Sequence, residues 1–156
     1  MRIDVGKYFG LNALVLILFI VDRLLKIWFI KNPSIKIGGY FISGLLSFHL
    51  EKNIGIAFGI PVNQIVLFIL IVIILLILVA IAIKTYQKKD PLSVLALSLI
   101  ITGAVSNLID RLHYRFVIDY IDVPWFTVFN LADCMITVGV GILLIGVLRN
   151  KRLDKE

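Results

Sequence analysis

The residues of this chain best placed to do chemistry are aspartates: Asp22, Asp110, Asp119, Asp122 and Asp133. Asp133 stands near the start of a long apolar run, FNLADCMITVGVGILLIGVL, where an ionisable group is costly enough to need a reason. No basic residue follows it until Arg149, so its charge must be met from elsewhere in the chain or shared with another carboxyl. Asn130 lies three residues earlier, and Asn107 with Asp110 repeats the Asn-x-x-Asp spacing. On a helix that spacing puts amide and carboxylate on one face. Asp22 is followed at i+4 by Lys26, which suits an ion pair with the lysine reaching outward toward water. Asp110 and Arg111 together read as a charge pair at a helix end, and Asn130 could serve as hydrogen-bonding glue between helices.

Serine catalysis needs a histidine base, and neither His49 nor His113 falls within an apolar segment. Cys134 would need the same help and reads as a small buried hydrophobe. As the sole cysteine it also excludes an intramolecular disulfide and a cysteine-based metal site. Carboxylates without histidine make a poor metal site, so no metal or other cofactor is expected. Two carboxylates sharing one proton need nothing further. Like charges at close range cannot both ionise, so one stays an acid while the other activates water, which is the chemistry of amide hydrolysis. Asp133 is the first member of such a pair, and on residue types alone Asp110 and Asp119 are level as its partner.

The elements that position these groups follow from composition. The chain has 156 residues, the length of one domain, and is 60% hydrophobic, above the range of soluble domains. Uncharged apolar windows of about 20 residues define an integral membrane protein. Four helical spans are expected, over 10–30, 64–83, 91–109 and 125–148, because a segment in lipid must satisfy its own backbone. The first span has no cleavage pattern behind it and reads as retained. Basic residues are densest in the N-terminal tail, the loop after the second span and the C-terminal tail. Those segments hold nine Lys/Arg in 24 residues, against five in 48 on the other side, so both termini are expected in the cytoplasm. The net charge of +6 is thereby explained by orientation, without nucleic acid.

Both long connections then fall on the outer side. Residues 31–63 are broken by Gly38, Gly39, Gly44 and Gly55 and read as short strands on the membrane surface. Residues 110–124 are expected as a charged connection carrying Asp119 and Asp122. At about 1.5 Å per residue, Asp133 would lie about 12 Å below Trp125, and Asp22 about 12 Å from the outer end of its span. The inner halves of the spans are almost free of ionisable groups. That disfavours a proton-coupled transporter, which needs a polar path to both faces, and a non-enzymatic scaffold would have no use for paired carboxylates.

The sequence resembles the lipoprotein signal peptidases (signal peptidase II), bacterial membrane aspartic proteases, along essentially its whole length. The resemblance rests on DRLLK at Asp22–Lys26, NIGIAFG at Asn53–Gly59, GAVSNLIDR at Gly103–Arg111, VIDYIDV at Val117–Val123 and FNLAD at Phe129–Asp133. It implies removal of the signal peptide from prolipoproteins by a cut before the diacylglyceryl-modified cysteine, at the outer face of the bacterial inner membrane. It implies a mainly α, four-span fold with a small extracytoplasmic β-sheet cradle in the outer connection. The implied dyad is Asp119 with Asp133, and Asp110 remains the runner-up partner. Asn130 and Ala132 match the positions beside the second aspartate. Gly103, Asn107, Asp110 and Arg111 belong to the supporting motif, and Asp22, Lys26, Asn53 and Gly55 to positions that shape the pocket. Ile118 and Ile56 depart mildly from the residues usual at their positions. The expected partners are the lipidated substrate and membrane lipid, and a monomer is expected.

Overall fold

A computed structural model of the chain describes residues 5–35, 37–38, 46–55, 63–87 and 90–153. Among the described residues there are four helices: α1 (Val5–Lys31), α2 (Gln64–Gln87), α3 (Pro91–Tyr114) and α4 (Leu131–Leu153). Between them run three short strands, β1 (Ile37–Gly38), β2 (Ser47–Asn53) and β3 (Val117–Asp122). Among the described residues, α2, α3 and the Leu131–Arg149 part of α4 are long and apolar enough to cross a bilayer. Helix α1 matches them in length, but Asp22, Arg23 and Lys26 interrupt its apolar course.

Helix boundaries follow from local chemistry. Asn63 caps α2 by accepting the backbone N–H groups of Ile65 and Val66 at 3.0 and 3.3 Å. Asp90 does the same for Leu92 and Ser93 at the start of α3, with Pro91 in the first turn where its missing N–H costs nothing. Helix α3 continues to Tyr114 and stops where Arg115 turns left-handed, with φ 70°. Asp110 and Arg111 are therefore helical residues, not part of a loop as expected.

The fourth helix also departs from expectation. It begins at Leu131, so residues 125–130 are not helical, and Trp125 sits fully exposed with φ 70°. The apolar run was continuous, but Asn130 is a strong helix initiator and breaks it. Asp133 consequently lies in the first turn of α4 and not 12 Å along a span that starts at Trp125.

Helix α3 is the central element and touches the other three helices. Glycines allow it to approach α4 closely. A Cβ on Gly103 would sit 2.5 Å from the Ala132 carbonyl oxygen, and one on Gly139 would sit 2.6 Å from that of Ala96. Val15, Leu99 and Met135 close the apolar core between α1, α3 and α4. Helix α2 packs on α3 and has Leu67 as its buried residue, leaving most of its surface, uncharged up to Lys84 in the last turn, for lipid.

The sheet has the order β1-β2-β3, antiparallel throughout. Strands were expected from residues 31–63 alone, whereas β3 comes from the connection that was read as a loop and carries Asp119. Alternation along β3 turns Ile118 and Tyr120 into a core with Phe29 of α1, while Asp119 faces the opposite way. Gly39, Gly44 and the Ile56–Gly59 part of NIGIAFG lie outside the described residues.

Candidate active site

Beneath the sheet lies a buried layer of polar side chains: Asp22, Lys26, Ser106, Asn107, Asp110, Asp119 and Asn130. Every buried side-chain N or O atom among the described residues has a hydrogen-bond partner. The layer divides into an ion-pair cluster and a carboxylate pair.

The cluster joins α1 to α3. Lys26 Nζ lies 2.7 Å from Asp110 Oδ2, 3.3 Å from Asp22 Oδ2 and 2.7 Å from Asn107 Oδ1. The Asp22–Lys26 pair is present as expected, but Lys26 is fully buried and does not reach outward. Arg23 reaches Asp110 Oδ1 at 2.6 Å and also the carbonyl of Ser106 at 3.2 Å. Asp110 thus pairs with Arg23 and Lys26, not with its neighbour Arg111, and both its oxygens are engaged. With its charge met twice, it is a poor candidate for the second acid.

The carboxylate pair is built around Asn130. Its side-chain oxygen accepts the Asp133 N–H at 2.9 Å, while its own N–H donates to Asp133 Oδ2 at 3.1 Å. This reciprocal arrangement is a capping box, so the Asn-x-x-Asp spacing at 130–133 marks a helix start and not two positions on one helical face. The Asn130 side-chain Nδ2 donates to Asp119 Oδ1 at 2.6 Å. One residue therefore holds both carboxylates. Asn53, at the end of β2, donates to Asp119 Oδ2 at 3.0 Å, and Asn107 Nδ2 donates to Asp133 Oδ1 at 2.7 Å. Asn53 reaches across because Glu51 is the residue directly opposite Asp119 and Asn53 is the diagonal neighbour.

Burial, reinforced by the nearby Asp133 carboxylate, pushes the Asp119 carboxyl up to about 7, against the lowering effect of its Asn53 and Asn130 hydrogen bonds. A carboxylic acid on β3 is thereby kept protonated to near neutrality.

Both aspartates open into a cavity of about 570 Å³. Its charged and amide groups are Asn53, Asn107, Arg111, Asp119 and Asp133, and apart from Thr127 and Thr137 the remaining wall is largely apolar, with Phe126, Val128, Phe129, Ile136 and Val138. Ile136 and Val138 lie about one helical turn beyond Asp133 along α4. Arg111 donates to the Gly55 carbonyl at 3.1 Å and the Asn107 carbonyl at 3.4 Å, and it also lines the cavity. Cys134 is half-buried in the same wall instead of filling a core position.

A family model for signal peptidase (SPase) II matches residues 14–149. The chain belongs to the signal peptidase II family. It is similar to the lipoprotein signal peptidase of Syntrophomonas wolfei, with 40% identity over 90% of this chain and 94% of that protein. It is similar to that of Clostridium tetani as well, with 35% identity over 83% of this chain and 86% of the relative. Among solved structures, a bacterial membrane enzyme determined by the in meso method superposes with a TM-score of 0.81 and 31% identity, covering 99% of this chain and 95% of that one. Membership makes the chain a multi-pass membrane peptidase.

The residues named from the signal peptidase II resemblance fall into three places. Asn53, Asn107, Arg111, Asp119 and Asp133 line the cavity, and Asn130 lies buried between the two aspartates. Asp22, Lys26 and Asp110 form the cluster behind them. Gly55, Gly103 and Ala132 act through backbone: Gly55 offers its carbonyl to Arg111, and Gly103 admits the Ala132 backbone. Sequence reasoning passed over Arg23, Ser106 and Tyr120. Arg23, Ser106 and Tyr120 all stand inside the family motifs, but their contacts reach residues 83 to 98 positions away. His49 and His113 do not line the cavity; His49 lies 3.7 Å from Asp122 at the sheet, and His113 packs against Tyr114.

Proposed function

We propose that this chain is an aspartic endopeptidase that removes signal peptides from prolipoproteins by cutting before a diacylglyceryl-modified cysteine, with Asp119 and Asp133 as the catalytic pair. The observation that carries this reading is the pairing of two carboxylates around Asn130 at the polar part of a cavity whose other wall is apolar. A peptide bond attached to a lipid anchor has the same division of polarity. Asp110 is set aside as a partner because Arg23 and Lys26 already occupy it.

In this mechanism Asp133 takes a proton from water, and the oxygen attacks the carbonyl carbon before the lipidated cysteine. Asp119, held protonated by its raised pKa, donates to the carbonyl oxygen. The gem-diol collapses as Asp133 passes its proton to the departing cysteine nitrogen and Asp119 recovers its own. Both apparent pKa values belong to the pair. Arg111, facing the cavity from α3, would orient the substrate backbone. No step requires a metal or other cofactor.

Helix α1 would form a fourth span, its buried charges neutralised against α3 rather than exposed to lipid. The excess of Lys/Arg in the tails and the α2–α3 loop supports cytoplasmic termini in the bacterial inner membrane, with the cavity toward the outer face. The protein would act as a monomer with membrane lipid around it.

Purified protein in detergent or vesicles should release a signal peptide from a diacylglyceryl-modified precursor and not from the unmodified one. Equal cleavage of the two forms would remove lipid recognition from this account.

A further inference from the structure

The first turn of α4 carries Asp133, and the backbone N–H groups of such a turn have no partner within the helix. Here three are met individually. Asp133 N–H goes to Asn130 Oδ1, Ala132 N–H goes to Asp22 Oδ1 at 3.2 Å, and Leu131 N–H goes to the Tyr120 hydroxyl oxygen at 3.1 Å. The Tyr120 hydroxyl in turn donates to Asp22 Oδ1 at 3.1 Å. Asp22 is held in place by Ser106 and Lys26 through its other oxygen. Tyr120 is almost fully buried, its ring stacked on Phe29 at 5.1 Å, and it does not line the cavity.

Tyr120 follows Asp119 directly on β3. Its side chain points into the core because Asp119 points at the cavity. Two consecutive residues of one strand therefore grip the start of α4 from opposite faces. Asp119 is held by the Asn130 side chain, and Tyr120 holds Leu131. Backbone hydrogen bonds between Ile121 and Phe129, at 2.7 and 3.0 Å, fix the same register.

We infer that Tyr120 is a positioning residue: through its hydroxyl, anchored on Asp22, it sets the first turn of α4 and hence the placement of Asp133 against Asp119. This rests on the aspartic-pair reading above. Tyr120 does not line the cavity, and its hydroxyl bonds to Leu131 and Asp22, not to Asp119 or Asp133. The ring alone does not serve, because only the oxygen accepts the Leu131 N–H.

The substitution Tyr120→Phe keeps the ring and its stacking and removes that oxygen. With a diacylglyceryl-modified precursor, kcat should fall about tenfold while KM stays near wild type. The melting temperature should drop by only a few degrees, since the hydroxyl's two hydrogen bonds are lost and the Leu131 N–H is left unpaired. Amide hydrogen exchange over residues 131–133 should quicken, with β3 unchanged. A wild-type kcat in the variant would overturn the inference. So would a slower rate accompanied by a matching loss of melting temperature and no local change in exchange. Should the wild-type protein itself fail to cleave the precursor, the aspartic-pair reading falls, and the exchange result alone still decides whether the hydroxyl holds α4.

Discussion

Asn130 shows how much one short motif can hold. Its spacing to Asp133 was visible in the sequence, and an Asn three residues before an acidic residue is a helix-start signal. The apolar residues before it hid that signal, because Trp125, Phe126, Val128 and Phe129 extend the hydrophobic run without being helical. Asp119 was legible as a candidate from its residue type, and the family motif singled it out from Asp110. What the sequence could not express is why Asp110 is unsuitable, since Arg23 and Lys26 reach it from 87 and 84 positions away (110 − 23 and 110 − 26). The raised pKa of Asp119 carries a prediction. The pair needs one proton, so kcat/KM should fall as pH rises through about 7, approaching tenfold per unit above it. A rate on lipidated precursor that stays flat from pH 6 to 9 would remove Asp119 as the acid. The same shift has a stability sign. Between 3.8 and about 7 the folded protein holds a proton that the unfolded chain has lost, so this group's contribution to stability declines as pH rises across that window.

Among the elements, helices α2 and α3 were readable because length and apolarity fix them, and their start residues Asn63 and Asp90 are ordinary caps. Strand β3 was harder. VIDYID alternates, but its charges and its place beside a helix end made it look like a loop, and only pairing with β2 reveals its role. The contact of α3 with α4 sets the placement of Asn107 against Asp133, and Gly103 controls it. Gly103→Ala would drive a methyl into the Ala132 backbone, a cost of about 1–3 kcal/mol for overpacking. The melting temperature should drop by several degrees and activity by about tenfold. Gly141→Ala, on the partner helix α4, meets nothing within 4 Å and serves as the comparison. If both variants behave alike, the close approach at Gly103 is not what positions α4.

At the scale of the whole molecule, the chemistry sits in one layer behind one sheet, and the rest is anchor. Helix α2 illustrates the division, since it adds no polar residue to the site and offers nearly all its surface to lipid. The buried Asp22–Lys26–Asp110 cluster, joined by the partly exposed Arg23, brings α1 into the bundle despite its charges; removing one buried member would strand the others, at a cost of about 3–5 kcal/mol. Orientation was read from loop charge alone and has its own check. A tag after residue 156 should resist protease added outside intact spheroplasts, and cleavage of that tag would invert the topology. We assign the cleavage to Asp119 and Asp133 acting together. That assignment is tested most directly by assaying wild type, Asp119→Asn and Asp133→Asn on a diacylglyceryl-modified precursor, with melting temperatures measured alongside. The expected result is that each variant remains folded and loses essentially all activity. Substantial cleavage by either folded variant would contradict the account.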